Sequence, residues 1–174
     1  MVAMSIGLLI IGGGLSLWAY GTKTSASLLA YVELSTASKN AMDRISQQIR
    51  NAKAVRSCAS DKLVLVVPGK TLGYAHTMTY TYDSTNRWLQ QTLAKNPGND
   101  ETLTLLTGCT NLSFSVFQRT PISNSFQLYT NAWNTNTAKV VQVRWTSLRK
   151  ITGDQKNIEN QVSAKVAIRN QASQ

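Results

Sequence analysis

The sequence predicts an α+β protein in which a long N-terminal helix, apolar first and amphipathic after, packs on an antiparallel β-sheet. Three observations carry this. An uncharged apolar run opens the chain; apolar residues then recur at helical spacing with no proline or glycine between Thr22 and Cys58; and from Lys62 onward the period falls to two. The divisions that follow are 1–21 as the membrane-spanning half of the helix, 22–57 as its amphipathic half, and 58–174 as a β domain outside the cytoplasm.

Val2 to Tyr20 reads VAMSIGLLIIGGGLSLWAY, nineteen residues without a charge. As a helix it is roughly 28 Å long, close to the hydrocarbon thickness of a bilayer. Trp18 and Tyr20 stand where amphipathic rings meet headgroups, and Lys23 is the first charge. No basic region precedes the run, and it exceeds the usual length of a signal-peptide core, which favours a single membrane helix. Gly12, Gly13 and Gly14 lie inside it, each costing on the order of 1 kcal/mol relative to alanine in a helix. Gly12 and Ser16 have the small-xxx-small spacing that lets two helices approach closely. Gly12–Gly14, Ser16 and Trp18 are therefore the candidate membrane and helix-packing residues.

Beyond Lys23, the apolar stripe Leu28, Val32, Met42, Ile45, Ile49, Ala52 alternates with Lys39, Asp43, Arg44, Gln47, Arg50 and Lys53. One helix of about fifty residues, ending near Val55, is the economical reading. Its outer half is expected to lie on the rest of the chain. The strands follow in order as Leu63–Val67, Thr77–Tyr82 paired by a turn at Asp83–Asn86 with Arg87–Leu93, Thr102–Leu106, Asn111–Phe117, Val140–Leu148 and Ile158–Ile168. In the last, Val162, Ala164, Val166 and Ile168 share one face, and such alternation marks a sheet with one wet side. Lys95–Asp100 and Asn131–Thr137 read as polar loops.

Composition excludes much chemistry. One histidine and two cysteines among 174 residues are too few soft ligands for a zinc cluster, and no glycine loop is placed to cradle phosphate. His76 has no acid within six residues to orient it as a base. Asp100 and Glu101 supply only two of the oxygen ligands that calcium needs. The expectation is no enzyme, no metal and no cofactor. Cys58 and Cys109, about fifty residues apart, suit one disulfide in an oxidising compartment, of roughly 4 kcal/mol by loop closure; two buried free thiols are the alternative. The charges after the span, Lys23 and Lys39, taken alone leave the large C-terminal part in the cytoplasm, so the two signals of topology conflict. The net charge is +10. Seven bases between Lys139 and Arg169 (Lys139, Arg144, Arg149, Lys150, Lys156, Lys165, Arg169), near Tyr129, Trp133 and Trp145, offer DNA or another anionic ligand a surface. The competing reading is a solvated sheet face, because these bases alternate with apolar residues.

Val2–Ile10 (VAMSIGLLI) resembles the N-terminal hydrophobic segment of type IV pilins and type II secretion pseudopilins. Met42–Ala52, Tyr80–Asp83, Leu105–Phe117 and a final strand closing on Ile168-Arg169-Asn170 are similar, in order and architecture, to the minor pseudopilins. The family's basic leader, its peptidase cleavage site and the glutamate just inside the mature end have no counterpart in these residues. Met1-Val2 aligns just after that glutamate, so a misassigned start or a truncated product is expected. The resemblance implies a structural minor subunit acting in initiation or tip assembly of a pseudopilus or pilus. Its implied partners are other pilins of the filament, the inner membrane and an assembly platform. The implied location is the inner membrane, single-pass, with the C-terminal domain in the periplasm. A membrane-anchored binding module for DNA is the alternative.

Overall fold

The computed structural model describes residues 2–68, 75–94, 100–119, 129–131, 135–150 and 157–169. Helix α1 spans Val2–Asn51. After it come β1 (Ala54–Cys58), β2 (Lys62–Pro68), β3 (Ala75–Asp83), β4 (Trp88–Ala94), β5 (Glu101–Thr107), β6 (Cys109–Arg119), β7 (Tyr129–Asn131), a single 3-10 turn at Thr135–Thr137, β8 (Val140–Lys150) and β9 (Asn157–Ala167). The chain is thus mixed α+β, with one long N-terminal helix and two antiparallel sheets.

The strands divide into two sheets, ordered β1-β2-β3-β4-β5 and β7-β6-β8-β9. Every expected strand is present, but β1 and β7 were not foreseen and the sheet is split. Helix α1 ends at Asn51 rather than near Val55. Its last turn tightens, with the Ala52 N–H donating to the Ile49 carbonyl, and the Lys53 N–H then bonds the Val66 carbonyl at 2.8 Å. The backbone passes straight from helix to sheet. Cys58 consequently closes a strand, not the helix.

The two sheets meet along α1. Leu34, Ser38, Ala41, Met42, Ile45 and Ile49 are all buried, at the three- and four-residue steps of one helical face. Ala41, Met42, Ile45 and Ile49 pack into a single core with Val55, Leu63, Leu65, Met78, Tyr80 and Leu89 of the first sheet and Leu112, Phe114, Val141, Val143, Trp145 and Val166 of the second. Fully burying each Ile or Leu of this set is worth about 1.5–3 kcal/mol. The helix packs chiefly against β9 and also touches β8 of the same sheet and β5 and β2 of the other.

Fixed turns hold the geometry. The Asp83 carboxylate accepts from the Thr85 and Asn86 N–H groups and the Asn86 amide, and Arg87 takes a positive φ of 58°. These hydrogen bonds, with Asn86 foremost, hold the Asp83 carboxyl below its usual pKa. At the passage between the sheets, Gly108 has φ +72°, and a Cβ there would lie 2.4 Å from the Leu148 carbonyl oxygen. Only glycine fits.

Candidate functional site

The feature that separates this molecule from a closed globular domain is the N-terminal part of α1. Met4, Leu8, Ile10, Leu17, Trp18 and Tyr20 are each at least 70% exposed. No part of the apolar window in this helix is buried by the rest of the protein, and α1 is long and apolar enough to cross a membrane. With none of that window buried, the segment is not packed into the core of this domain.

The helix is unbroken through Gly12, Gly13 and Gly14, and a Cβ at any of the three would meet open space. The polar side chains nearby are satisfied internally. Ser16 Oγ donates to the Gly12 carbonyl at 2.8 Å, Thr22 Oγ1 to Ala19 at 2.9 Å and Thr24 Oγ1 to Tyr20 at 3.0 Å. Ser16, Thr22 and Thr24 therefore present no orphaned hydroxyl to apolar surroundings, a condition for lying in lipid or in a dry bundle. Gly12 and Ser16, four residues apart in the helix, lie on the same face.

The exposed surface does not stop at the first charge. Past Lys23, Leu28 is 60% exposed and Leu29, Tyr31 and Val32 lie open as well. Leu28 and Val32, expected on the docked stripe, are not on it; docking begins at Leu34. The sequence pattern could not separate them, since both halves of the stripe share the same spacing.

The docked half is held by polar contacts that periodicity did not point to. Trp145 Nε1 donates to Ser38 Oγ at 2.8 Å, both residues fully buried. A serine at an apolar-face position is the only signal of this in the sequence. Arg44 Nε donates to Gln91 Oε1 at 3.0 Å, Gln91 Nε2 reaches Met78 Sδ, and the Tyr80 hydroxyl bonds the same sulfur. Burial raises the Tyr80 phenol pKa, with the Arg44 charge acting the other way. At the N-terminal end of the docked half, the Arg149 guanidinium pairs with the Glu33 carboxylate.

Cys58 and Cys109 are free thiols, the former half-buried at the end of β1 and the latter buried at the start of β6. The bridge anticipated from their spacing is not formed: the residues close and open strands of different sheets, and the passage between those sheets is tied instead by the Tyr82 hydroxyl, which bonds the Cys109 and Thr110 carbonyls. Burial pushes both thiols up to about 11, so each stays protonated near neutrality and is a poor nucleophile. Thiol counting in denaturant without reductant is expected to find two.

The remaining candidates disperse. His76 is half-buried in β3 opposite Val67. Asp100 and Glu101 are exposed at the start of β5, while 95–99 lies outside the described residues. Among the described residues no group of three metal-ligating side chains forms. Of the basic stretch, Arg144 and Lys165 face solvent on the second sheet, with Lys165 Nζ 5.3 Å from the Phe117 ring centroid. Arg149 is paired, and Trp145 is buried and unavailable to a ligand. Trp133 and Lys156 and the side chains of Tyr129 and Lys150 lie outside the described residues. No known protein family, curated protein or solved structure matches this chain.

Proposed function

We propose that the chain is a structural minor subunit of a pilin-like filament, a type II secretion pseudopilus or a type IV pilus, acting in initiation or at the tip. In this reading α1 anchors the subunit in the inner membrane and the sheet domain stands outside the cytoplasm. Other pilins of the filament and the assembly platform are its partners, and it carries out no catalysis.

The observation that supports this reading is the length of the exposed apolar helix. From Met4 to Val32 the open surface runs roughly 42 Å along the axis, against a hydrocarbon core of about 30 Å. A plain anchor accounts for the first part of that length. The Leu28, Leu29, Tyr31 and Val32 cluster beyond it requires another apolar surface, and neighbouring helices in a filament core supply one. The stretch from Val2 to Tyr20 is uncharged, so it can pass from lipid to such a bundle without stranding a buried charge. Gly12 and Ser16, one turn apart on the same face, let a neighbouring backbone come close.

Cysteine scanning tests this. Single cysteines are placed at successive positions from Met4 to Val32 in a chain carrying Cys58→Ser and Cys109→Ser, in native membranes with the other filament components. Cross-links recurring at three- and four-residue steps, strongest through Gly12–Ser16 and Leu28–Val32, are expected. Uniform or absent cross-linking contradicts the packing role and leaves a lipid anchor.

A further inference from the structure

The outer strands of the two sheets differ in how their edges are kept from pairing. β1 carries Arg56 and a register shift, with the 3-10 turn beside it. β7 is three residues long, and β9 lies along α1. Charge, irregularity, brevity and cover are the devices that guard a strand edge. β5 has less of each. Its sequence, ETLTLLT, holds one charge and no proline, and residues 101–104 are exposed. The ladder pairs Leu106 with Leu89 and Thr104 with Gln90, so Leu105 is a bulge and the regular part of the edge is 101–104. Alternate residues of a strand turn both backbone groups to the same edge. Among the described residues nothing hydrogen-bonds those of Thr102, Leu103 and Thr104 on the side away from β4.

A groove of about 480 Å³ opens between α1 and residues 103–105 of this strand. Its helical wall is Asn40, Asp43, Arg44 and Gln47, at the three- and four-residue steps of one face. Leu103 pairs with Gln91, whose buried side chain bonds Arg44, so Leu103 lies on the α1 side of the sheet. It is nonetheless 42% exposed. Thr102, with Oγ1 3.3 Å from Thr92 Oγ1, lies on the other side. Arg44 is held down to Gln91, whereas Asp43 is exposed and has no ion pair among the described residues. The groove therefore offers an apolar floor and an acidic outer wall.

Direction narrows the occupant. Glu33 and Ala37 share a cavity with Leu106 and Gly108, whereas Asn40 and Gln47 stand across from residues 103–105, so β5 runs back along α1 toward its N-terminal half. Pairing β5 antiparallel with β5 of a second copy would point the two α1 helices in opposite directions. That excludes anchoring both in one membrane, a step that rests on the function proposed above. Parallel pairing is the weaker geometry. A strand from another polypeptide, added antiparallel, lays alternate side chains over Leu103 and along the α1 wall, and the others beside Thr102 and Thr104. Leu103 calls for an apolar side chain opposite it. Asp43 calls for a base, which reaches the wall two residues further on, toward the Gln47 end. We infer that the β5 edge binds an extended segment of a partner polypeptide as an added antiparallel strand, apolar opposite Leu103 and basic two residues later.

The test uses the full chain in detergent and the fluorescent peptide Gly-Ser-Thr-Leu-Thr-Lys-Thr-Gly. Binding is expected with a Kd below about 1 mM, the weak affinity of a short added strand. Leu103→Lys, which puts a charge on the edge, is expected to weaken it about tenfold or more. Asp43→Asn is expected to weaken it about twofold to fivefold, the worth of an exposed ion pair. Arg144→Gln, on the open face of the second sheet, is expected to leave it unchanged. Melting curves check that each variant folds. Methylating the peptide nitrogens at alternate residues is expected to abolish binding in one phase and spare it in the other, since one edge of the added strand faces β5. The inference is overturned by no saturable binding up to about 1 mM, by unchanged binding to both groove variants, or by loss in both methylation phases or in neither. Equal binding of a peptide with Leu and Lys adjacent, hence on opposite faces, overturns it too. So do disulfide-linked pairs of a Leu103→Cys chain carrying Cys58→Ser and Cys109→Ser, which assign the edge to a second copy. None of these readouts depends on filament assembly, so a failure here leaves the filament reading standing.

Discussion

The two halves of α1 are one continuous helix put to opposite uses. From Leu34 to Ile49 its apolar face is sealed between two sheets, with Ile45 and Ile49 wholly buried. From Met4 to Val32 comparable apolar side chains lie open on every side. Helical continuity is therefore not what decides burial; the reach of the sheets is. The lesson is that stability and function separate along a single element. The docked half holds the domain together, and the free half awaits another surface.

Substitutions sharpen this contrast, beginning with the largest effect. Trp145→Ala removes the biggest buried side chain and orphans Ser38, and should cost about 3–5 kcal/mol in denaturant unfolding. Ile45→Ala, at the centre of the docked face, should cost about 2–5 kcal/mol. Gly108→Ala forces a Cβ onto the Leu148 carbonyl in a left-handed conformation and should cost about 1–3 kcal/mol. Ser38→Ala leaves the Trp145 N–H buried without an acceptor, a loss of about 1–3 kcal/mol that Ser38→Thr should partly restore if the methyl is accommodated. Leu28→Ser, on the free half, should move stability by no more than about 0.5 kcal/mol while weakening helix cross-linking in the membrane. A large stability loss at Leu28 would break the comparison.

Much of the fold was legible in the sequence because period and burial agree there. Val141, Val143 and Trp145 alternate in β8 and all three are fully buried; Val166 and Ile168 do the same near the end of the chain. The boundary at Leu34 was not legible. Leu28 and Val32 continue the same helical stripe, and only the tertiary limit of the sheets distinguishes them from Met42 and Ile45. Strand β1 was hidden because Ala54–Cys58 carries a register shift between Val55 and Ser57, which blurs alternation. It also follows directly on the helix, where no proline or glycine announces a stop. The candidate site was legible in outline, as the uncharged run with its glycine triplet.

The division of α1 at Leu34 is tested most directly by comparing thermal unfolding of the full chain in detergent with that of a chain lacking residues 2–31. The account predicts a soluble, cooperatively folding domain whose Tm agrees with the full chain within roughly 3 °C, since the deleted half buries nothing against the sheets. A shortened chain that fails to fold, or melts more than about 10 °C lower, would contradict it by showing that the free half of the helix belongs to the domain's own core.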